Sequence, residues 1–164
     1  MSRRSAGIVL VRDRAAVCEV LLVHPGGPLW AKKDVGAWSI PKGEYAAGDD
    51  PLDAARREFR EEIGVACPSA ELIELGEVIQ PGGKRVVAWC GFGDVDVSGL
   101  VSNTFEMEWP PRSGRRQTFA EVDRAEFFTL EVARHKILRG QLPLLDSVAR
   151  VLAESKSTTR RDTE

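Results

Sequence analysis

Glu58, Glu61 and Glu62 stand close together in this chain, beside Arg57. On a helix, about 100° per residue places the three carboxylates within an arc of roughly 100°. Glu58 is spaced i,i+3 from Glu61 and i,i+4 from Glu62. Like charges at those spacings destabilise a helix by about 0.2–0.5 kcal/mol per pair. A cluster that repels itself invites a compensating cation. Hard divalent ions prefer carboxylate oxygens, and Mg²⁺ is held by a few carboxylates together with substrate phosphates. The chemistry such an array could do is attack of water on a phosphate linkage, with the negative charge neutralised and a carboxylate placed to position the water or take its proton. The same residues would also make an ordinary solvated face with weak ion pairs, and Arg57 with Glu61 is an opposite-charge pair at i,i+4.

The elements that must position these side chains are legible on both flanks. Asp50 suits an N-cap, Pro51 the first helical position and Gly64 the residue after the last turn, which predicts a helix over 51–63. Leu52, Ala55, Phe59 and Ile63 form a separate apolar stripe. Upstream, Trp38-Ser39-Ile40 predicts a brief strand, and Pro41-Lys42-Gly43-Glu44 a turn after it. The layout is strand, loop, helix, and the loop could carry backbone carbonyls close to the carboxylates.

The stretch Gly43, Asp49, Arg57-Glu58-Phe59, Glu61-Glu62 and Gly64-Val65 resembles the Nudix box, G-x5-E-x7-R-E-U-x-E-E-x-G-U, with U an apolar residue. Each position agrees in kind except Asp49, where the family has glutamate. The resemblance implies an α/β fold, the Nudix-type α/β/α sandwich with a mixed β-sheet, over residues 5–153. It implies Mg²⁺ or Mn²⁺ held by Glu58, Glu61 and Glu62, with a backbone carbonyl of the Lys42-Gly43 loop as a further ligand. Glu58 is the candidate base and Arg57 an orienting residue. A fourth carboxylate outside the box is common in the family, and Glu121 is the first candidate, with Glu106 and Glu108 as rivals. Asp49 keeps the charge of the family's glutamate and could still reach Arg57.

For substrate, Trp38-x-x-Pro41-Lys42-Gly43 is similar to the entrance of diadenosine polyphosphate hydrolases and of some MutT-like enzymes. Trp38, Lys42, Tyr45 and Lys84 are the substrate-binding candidates. Trp30, Trp89 and Trp109 could also stack on a base, although buried core is the commoner fate of such rings. Lys32, Lys33, Arg112, Arg115 and Arg116 could meet distal phosphates, against a plain surface role. Three functions stay open: hydrolysis of a nucleoside diphosphate linked to another group, a dinucleoside polyphosphate or nucleoside triphosphate first; hydrolysis of a non-nucleotide diphosphate such as an inositol pyrophosphate; and a silent nucleotide-binding module.

The whole chain sets the bounds. Its 164 residues carry a formal net charge of −2, with 43% hydrophobic and 29% charged residues. That is one globular domain with room for a core. The balance excludes the strongly basic character of a general nucleic-acid binder, so a small-molecule nucleotide rather than DNA is the expected partner. Cys18, Cys67 and Cys90 show no metal spacing and read as reduced thiols. No apolar run reaches the ~20 residues that span a membrane. A cytoplasmic protein, monomer or homodimer, is expected.

Along the chain, strands are predicted at Ala6–Val11, Glu19–His24, Glu71–Gln80, Arg85–Phe92 and Glu126–Leu130. The Pro81-Gly82-Gly83-Lys84 stretch is a hairpin signal. Thr104–Trp109 alternates, with Phe105, Met107 and Trp109 on one face, and Asn103–Phe119 could be a substrate-specific hairpin or lid. Helices are predicted at Leu130–Arg139 and Pro143–Ala153, and a mobile tail over 154–164.

Overall fold

A computed structural model describes residues 3–161, and side chains as far as residue 155. Strand β1 (Arg4–Arg14) lies at the centre of a six-stranded sheet. It runs antiparallel to β2 (Val17–Pro25) and to the short β3 (Lys42–Glu44), and parallel to β5 (Arg85–Phe92). The edges are β4 (Ile73–Ile79), beside β5, and β8 (Val122–Thr129), beside β2. The parallel β1–β5 pair among antiparallel neighbours makes the sheet mixed.

β1 is apolar on both faces because both are covered, which explains its unbroken Ile8-Val9-Leu10-Val11 run. Ala6, Ile8 and Leu10 pack with Leu21, Val23 and the helix α1 (Pro51–Ile63). Val9 and Val11 point the other way, into a core with Val20, Leu22 and the helices α2 (Leu130–Lys136) and α3 (Leu142–Arg161). The result is the α/β/α sandwich, with α1 alone on one face. A two-stranded hairpin, β6 (Thr104–Glu108) and β7 (Arg116–Ala120), stands outside the main sheet.

α1 has the predicted bounds and caps. Asp50 accepts the Asp53 backbone N–H at 3.1 Å, and Gly64 takes the left-handed conformation (φ 90°) and donates to the Arg60 carbonyl. Burial of Phe59, contributing about 1.5–3 kcal/mol, fixes which face of α1 meets the sheet. Its Glu face is left at the rim beside β3.

Three expectations are corrected. The strand predicted at Trp38–Ile40 is reduced to single bridges, Ser39 with Val23 and Trp38 with Ile137; the paired strand is Lys42–Glu44. The reason is that Pro41 has no N–H to donate, so regular pairing resumes only beyond it. The helix predicted over 143–153 runs from Leu142 to Arg161, so most of the supposed tail is helical; residues 162–164 lie outside the described residues. The helix predicted over 130–139 closes at Lys136, and a 3-10 turn, Arg139–Gln141, leads into α3. No helix among the described residues is long and apolar enough to cross a membrane.

Candidate active site

The β3 loop and α1 meet at Gly43. A Cβ there would lie 2.0 Å from both Cδ and Oε2 of Glu58, so the Glu58 carboxyl rests directly on the glycine backbone. One turn on, Glu62 Oε2 accepts the backbone N–H of Lys42 at 3.2 Å. The Lys42-Gly43 pair is thus the platform on which two of the three glutamates lie. Glu61 is the exposed member. Glu121, between β7 and β8, comes to the same place from the far end of the chain and lines one cavity with Lys42 and Glu62. Its rivals lie elsewhere: Glu106 pairs with Arg116 at 3.7 Å across the hairpin, and Glu108 accepts the Gly114 N–H at 3.2 Å near the hairpin tip.

The electrostatics of the cluster follow from burial and repulsion. Burial raises the Glu58 carboxyl above its usual range; Glu61 and Glu121 raise it further, and the Arg57 guanidinium opposes them. Glu62 is pushed up to about 8, by burial first, with Glu58 and Glu121 adding to the shift and the Lys42 N–H and charge resisting it. Lys42 is lowered to about 8 by burial and by the neighbouring Lys84, which Glu62 offsets.

That donor set fits a hard divalent cation. It consists of carboxylate oxygens, and a cation would offset the burial and the repulsion that raise Glu58 and Glu62. As the side chains lie, no three His, Cys, Asp or Glu groups among the described residues converge tightly enough to hold one ion. Glu62 is turned to the Lys42 N–H and Glu58 to Arg57, whose Nη2 is 3.5 Å from Glu58 Oε1.

The sequence-predicted residues divide. Glu58, Glu62, Lys42, Gly43 and Glu121 come together as described. Arg57 pairs with Glu58 rather than with Glu61, so it steadies the carboxyl resting on Gly43. Lys84 sits beside Lys42 and reaches Glu44 at 3.9 Å. Tyr45 lines a separate cleft with Arg3, Arg4 and Asp49. Asp49 accepts the Ala46 N–H at 3.2 Å and so folds back on its own loop instead of reaching Arg57. Trp38 is corrected outright as a substrate contact: it is 1% exposed, its Nε1 donates to Asp34 at 2.8 Å, and its ring meets His24 and Phe128 edge-on at 5.1 and 5.0 Å. A ring so enclosed cannot stack on a ligand.

Two polar clamps hold the surroundings of the site. Gln141 is fully buried; its Oε1 accepts the Ile40 N–H at 3.0 Å and its Nε2 donates to Ser39 Oγ at 3.0 Å. It thereby holds the Ser39-Ile40 segment that leads into the Lys42-Gly43 platform. His24, also fully buried, bridges Asp123 Oδ1 at 2.7 Å and the Lys33 carbonyl at 2.6 Å, and so ties the loop after β2 to the start of β8. Neither belongs to a motif; the one hint was a polar residue placed among apolar ones.

Fold and site together define an α/β domain in which a capped helix presents carboxylates against a glycine loop. The family model described as NUDIX domain matches residues 1–148, and the chain belongs to that family. Among curated proteins, an octanoyltransferase of Myxococcus xanthus is 31% identical over 70% of this chain and 35% of its own length. An RNA pyrophosphohydrolase of Francisella tularensis is 38% identical over 37% of this chain and 39% of its own length. The chain thus spans little more than a third of these relatives. Among solved structures, a C. elegans Ap4A hydrolase binary complex superimposes with a TM-score of 0.65 at 22% identity, over 92% of this chain and 98% of that one. The NUDIX domain of Shewanella oneidensis NrtR with ADP ribose gives 0.64 at 16% identity, over 93% and 89%. At these identities the likeness is one of fold.

Proposed function

We propose that this chain is a divalent-metal-dependent pyrophosphohydrolase that cleaves a nucleoside diphosphate linked to another group, a dinucleoside polyphosphate or nucleoside triphosphate. The observation that carries the reading is the platform itself: Glu58 rests on Gly43, Glu62 accepts the Lys42 N–H, and Glu121 lines the same cavity as Glu62, so that partly buried carboxylates gather where a cation would offset their charge. The likeness to an RNA pyrophosphohydrolase in sequence and to an Ap4A hydrolase in fold supports the same class.

Glu58, Glu61, Glu62 and Glu121, with a carbonyl of the Lys42-Gly43 loop, would hold Mg²⁺ or Mn²⁺. When bound, such an ion neutralises phosphate oxygens and lowers the pKa of water. The chain's own residues do the rest. Glu58, whose carboxyl rests on Gly43, takes the proton of the attacking water, and Arg57 keeps that carboxyl in place. The water oxygen bonds to phosphorus as the bridging P–O bond breaks, and the second phosphate departs with the bridging oxygen. Lys42 and Lys84 lie beside one another and meet the departing phosphate's charge.

An inositol pyrophosphate is the weaker reading, because its many phosphates call for a dense cationic pocket. Here Lys84 is already shared with Glu44, and Lys42 with Glu62. The experiment is a phosphate-release screen over nucleotides and inositol pyrophosphates, with Mg²⁺ and with excess chelator. Turnover that survives the chelator contradicts the metal mechanism.

A further inference from the structure

The loop Pro25–Trp30 and the β6–β7 hairpin enclose a cavity of about 350 Å³, within the roughly 300–1,000 Å³ of small-molecule sites. Its walls include Pro28, Leu29, Trp30, Phe105 and Met107, and Glu121 is its one charged lining residue. We infer that this cavity is the subsite for the substrate's nucleobase, an uncharged planar ring held by Trp30, Phe105 and Met107. The inference rests on the hydrolase reading above, which places the phosphates at the carboxylates.

Three observations carry it. First, the cavity adjoins the carboxylates: Pro25, Trp30 and Glu121 also line the cavity that holds Lys42 and Glu62. A single ligand can therefore lie with its phosphates on one side of Glu121 and another group on the other. Second, the charge decides which group goes where. Six apolar side chains and no cationic one line the cavity, so it offers a phosphate no counter-charge and accepts an aromatic ring, and two aromatic rings with a thioether suit stacking. Third, the cavity is a built feature. Gly26 donates to the Glu121 carbonyl at 2.9 Å, and Glu121 donates to the Asn103 carbonyl at 2.8 Å, which closes the hairpin onto the loop. A Cβ on Gly27 would lie 2.8 Å from Phe105 Cζ, and one on Gly26 would lie 1.9 Å from the Ala120 carbonyl oxygen. Only two glycines let the hairpin seat so closely. Lys33 lies over Trp30 at 4.9 Å and steadies that ring. Leu29, 60% exposed, forms the open rim.

The test separates base recognition from hydrolysis. AMP and ribose 5-phosphate are titrated by calorimetry into the full chain with Mg²⁺; the two differ by the base alone. AMP should bind at least tenfold more tightly, the scale of one base stacked on an aromatic side chain. Trp30→Ala and Phe105→Ala should each cut that ratio to below threefold, with thermal melts confirming a folded chain. Phe105 stands on the hairpin, outside the six-stranded sheet, and Met107→Ala probes the same wall should either variant lose its melt. A ratio near one in the unaltered chain, or an unchanged ratio in all folded variants, overturns the subsite. A chain that keeps the AMP preference but hydrolyses no nucleotide upholds the subsite and refutes the hydrolase reading instead.

Discussion

Replacing Gly43 by alanine tests whether the carboxylate platform works as described. Gly43 is outside the left-handed region, so alanine adds no backbone strain and only its methyl matters. That methyl would sit 2.0 Å from Glu58 Cδ and Oε2, and ordinary contact begins near 3.4 Å, so the carboxyl must retreat by about 1.4 Å. Misplacing a catalytic group by ~1 Å costs on the order of 100-fold. Gly43→Ala should therefore lower kcat/KM for a dinucleoside polyphosphate about 100-fold, or about 2.7 kcal/mol of transition-state stabilisation. Stability should fall much less. The group in the way is the end of a flexible side chain, which puts the overpacking cost near the lower end of about 1–3 kcal/mol. That is a loss of roughly 2–4 °C in Tm per kcal/mol for a chain of this size. Gly99→Ala is the control, because nothing lies within 4 Å of its added methyl and its backbone is not left-handed. Steady-state kinetics and a thermal melt on both variants decide the matter. A Gly43→Ala enzyme within threefold of the unaltered one would refute the reasoning.

Glu61→Gln and Glu62→Gln should each weaken Mn²⁺ binding and lower kcat by well over tenfold, with the melt preserved; near-normal rates in both would return α1 to a solvated face. The pH dependence of metal binding follows from Glu62. In the ion-free chain its carboxyl is held up to about 8, so below that pH a cation must displace a proton. Apparent affinity should rise with pH and level off above about 8, with proton release seen by calorimetry in buffers of different ionisation enthalpy; affinity flat across that range would contradict the buried-carboxylate account. Gln141→Leu removes the acceptor of the Ile40 N–H and leaves that donor buried, at about 1–3 kcal/mol. Its Tm should drop by several degrees, and an unchanged melt would show that the clamp is dispensable.

The sequence made the helix of the site legible residue by residue, because caps and apolar stripe are local signals: Asp50, Pro51, Phe59 and Gly64 each act within one turn. Arg85–Phe92 was equally plain, an apolar run bounded by a glycine turn. What stayed hidden depends on partners far along the chain. Trp38 has the composition of a substrate contact, but its fate was set by His24 and Phe128, which close around its ring. Asp49 is the local exception: its miss of Arg57 turns on the 46–49 turn, whose closure on Ala46 its residue type alone does not reveal. The hairpin over Asn103–Phe119 was one of two readings, but the bounds of β7 were not legible, because Arg116-Gln117-Thr118 is polar and owes its pairing to β6 across the hairpin. Glu121 was found by its position before a strand, but its place beside Glu62 needed β8 to dock on β2.

The most direct measurement is hydrolysis of a dinucleoside polyphosphate by the purified chain in ¹⁸O-enriched water, with Mg²⁺, with chelator, and with Glu61→Gln and Glu62→Gln in parallel. The account predicts metal-dependent turnover, one ¹⁸O in a single phosphate product, and a loss of well over tenfold in both variants. No turnover with Mg²⁺, or turnover indifferent to both glutamates, would contradict it.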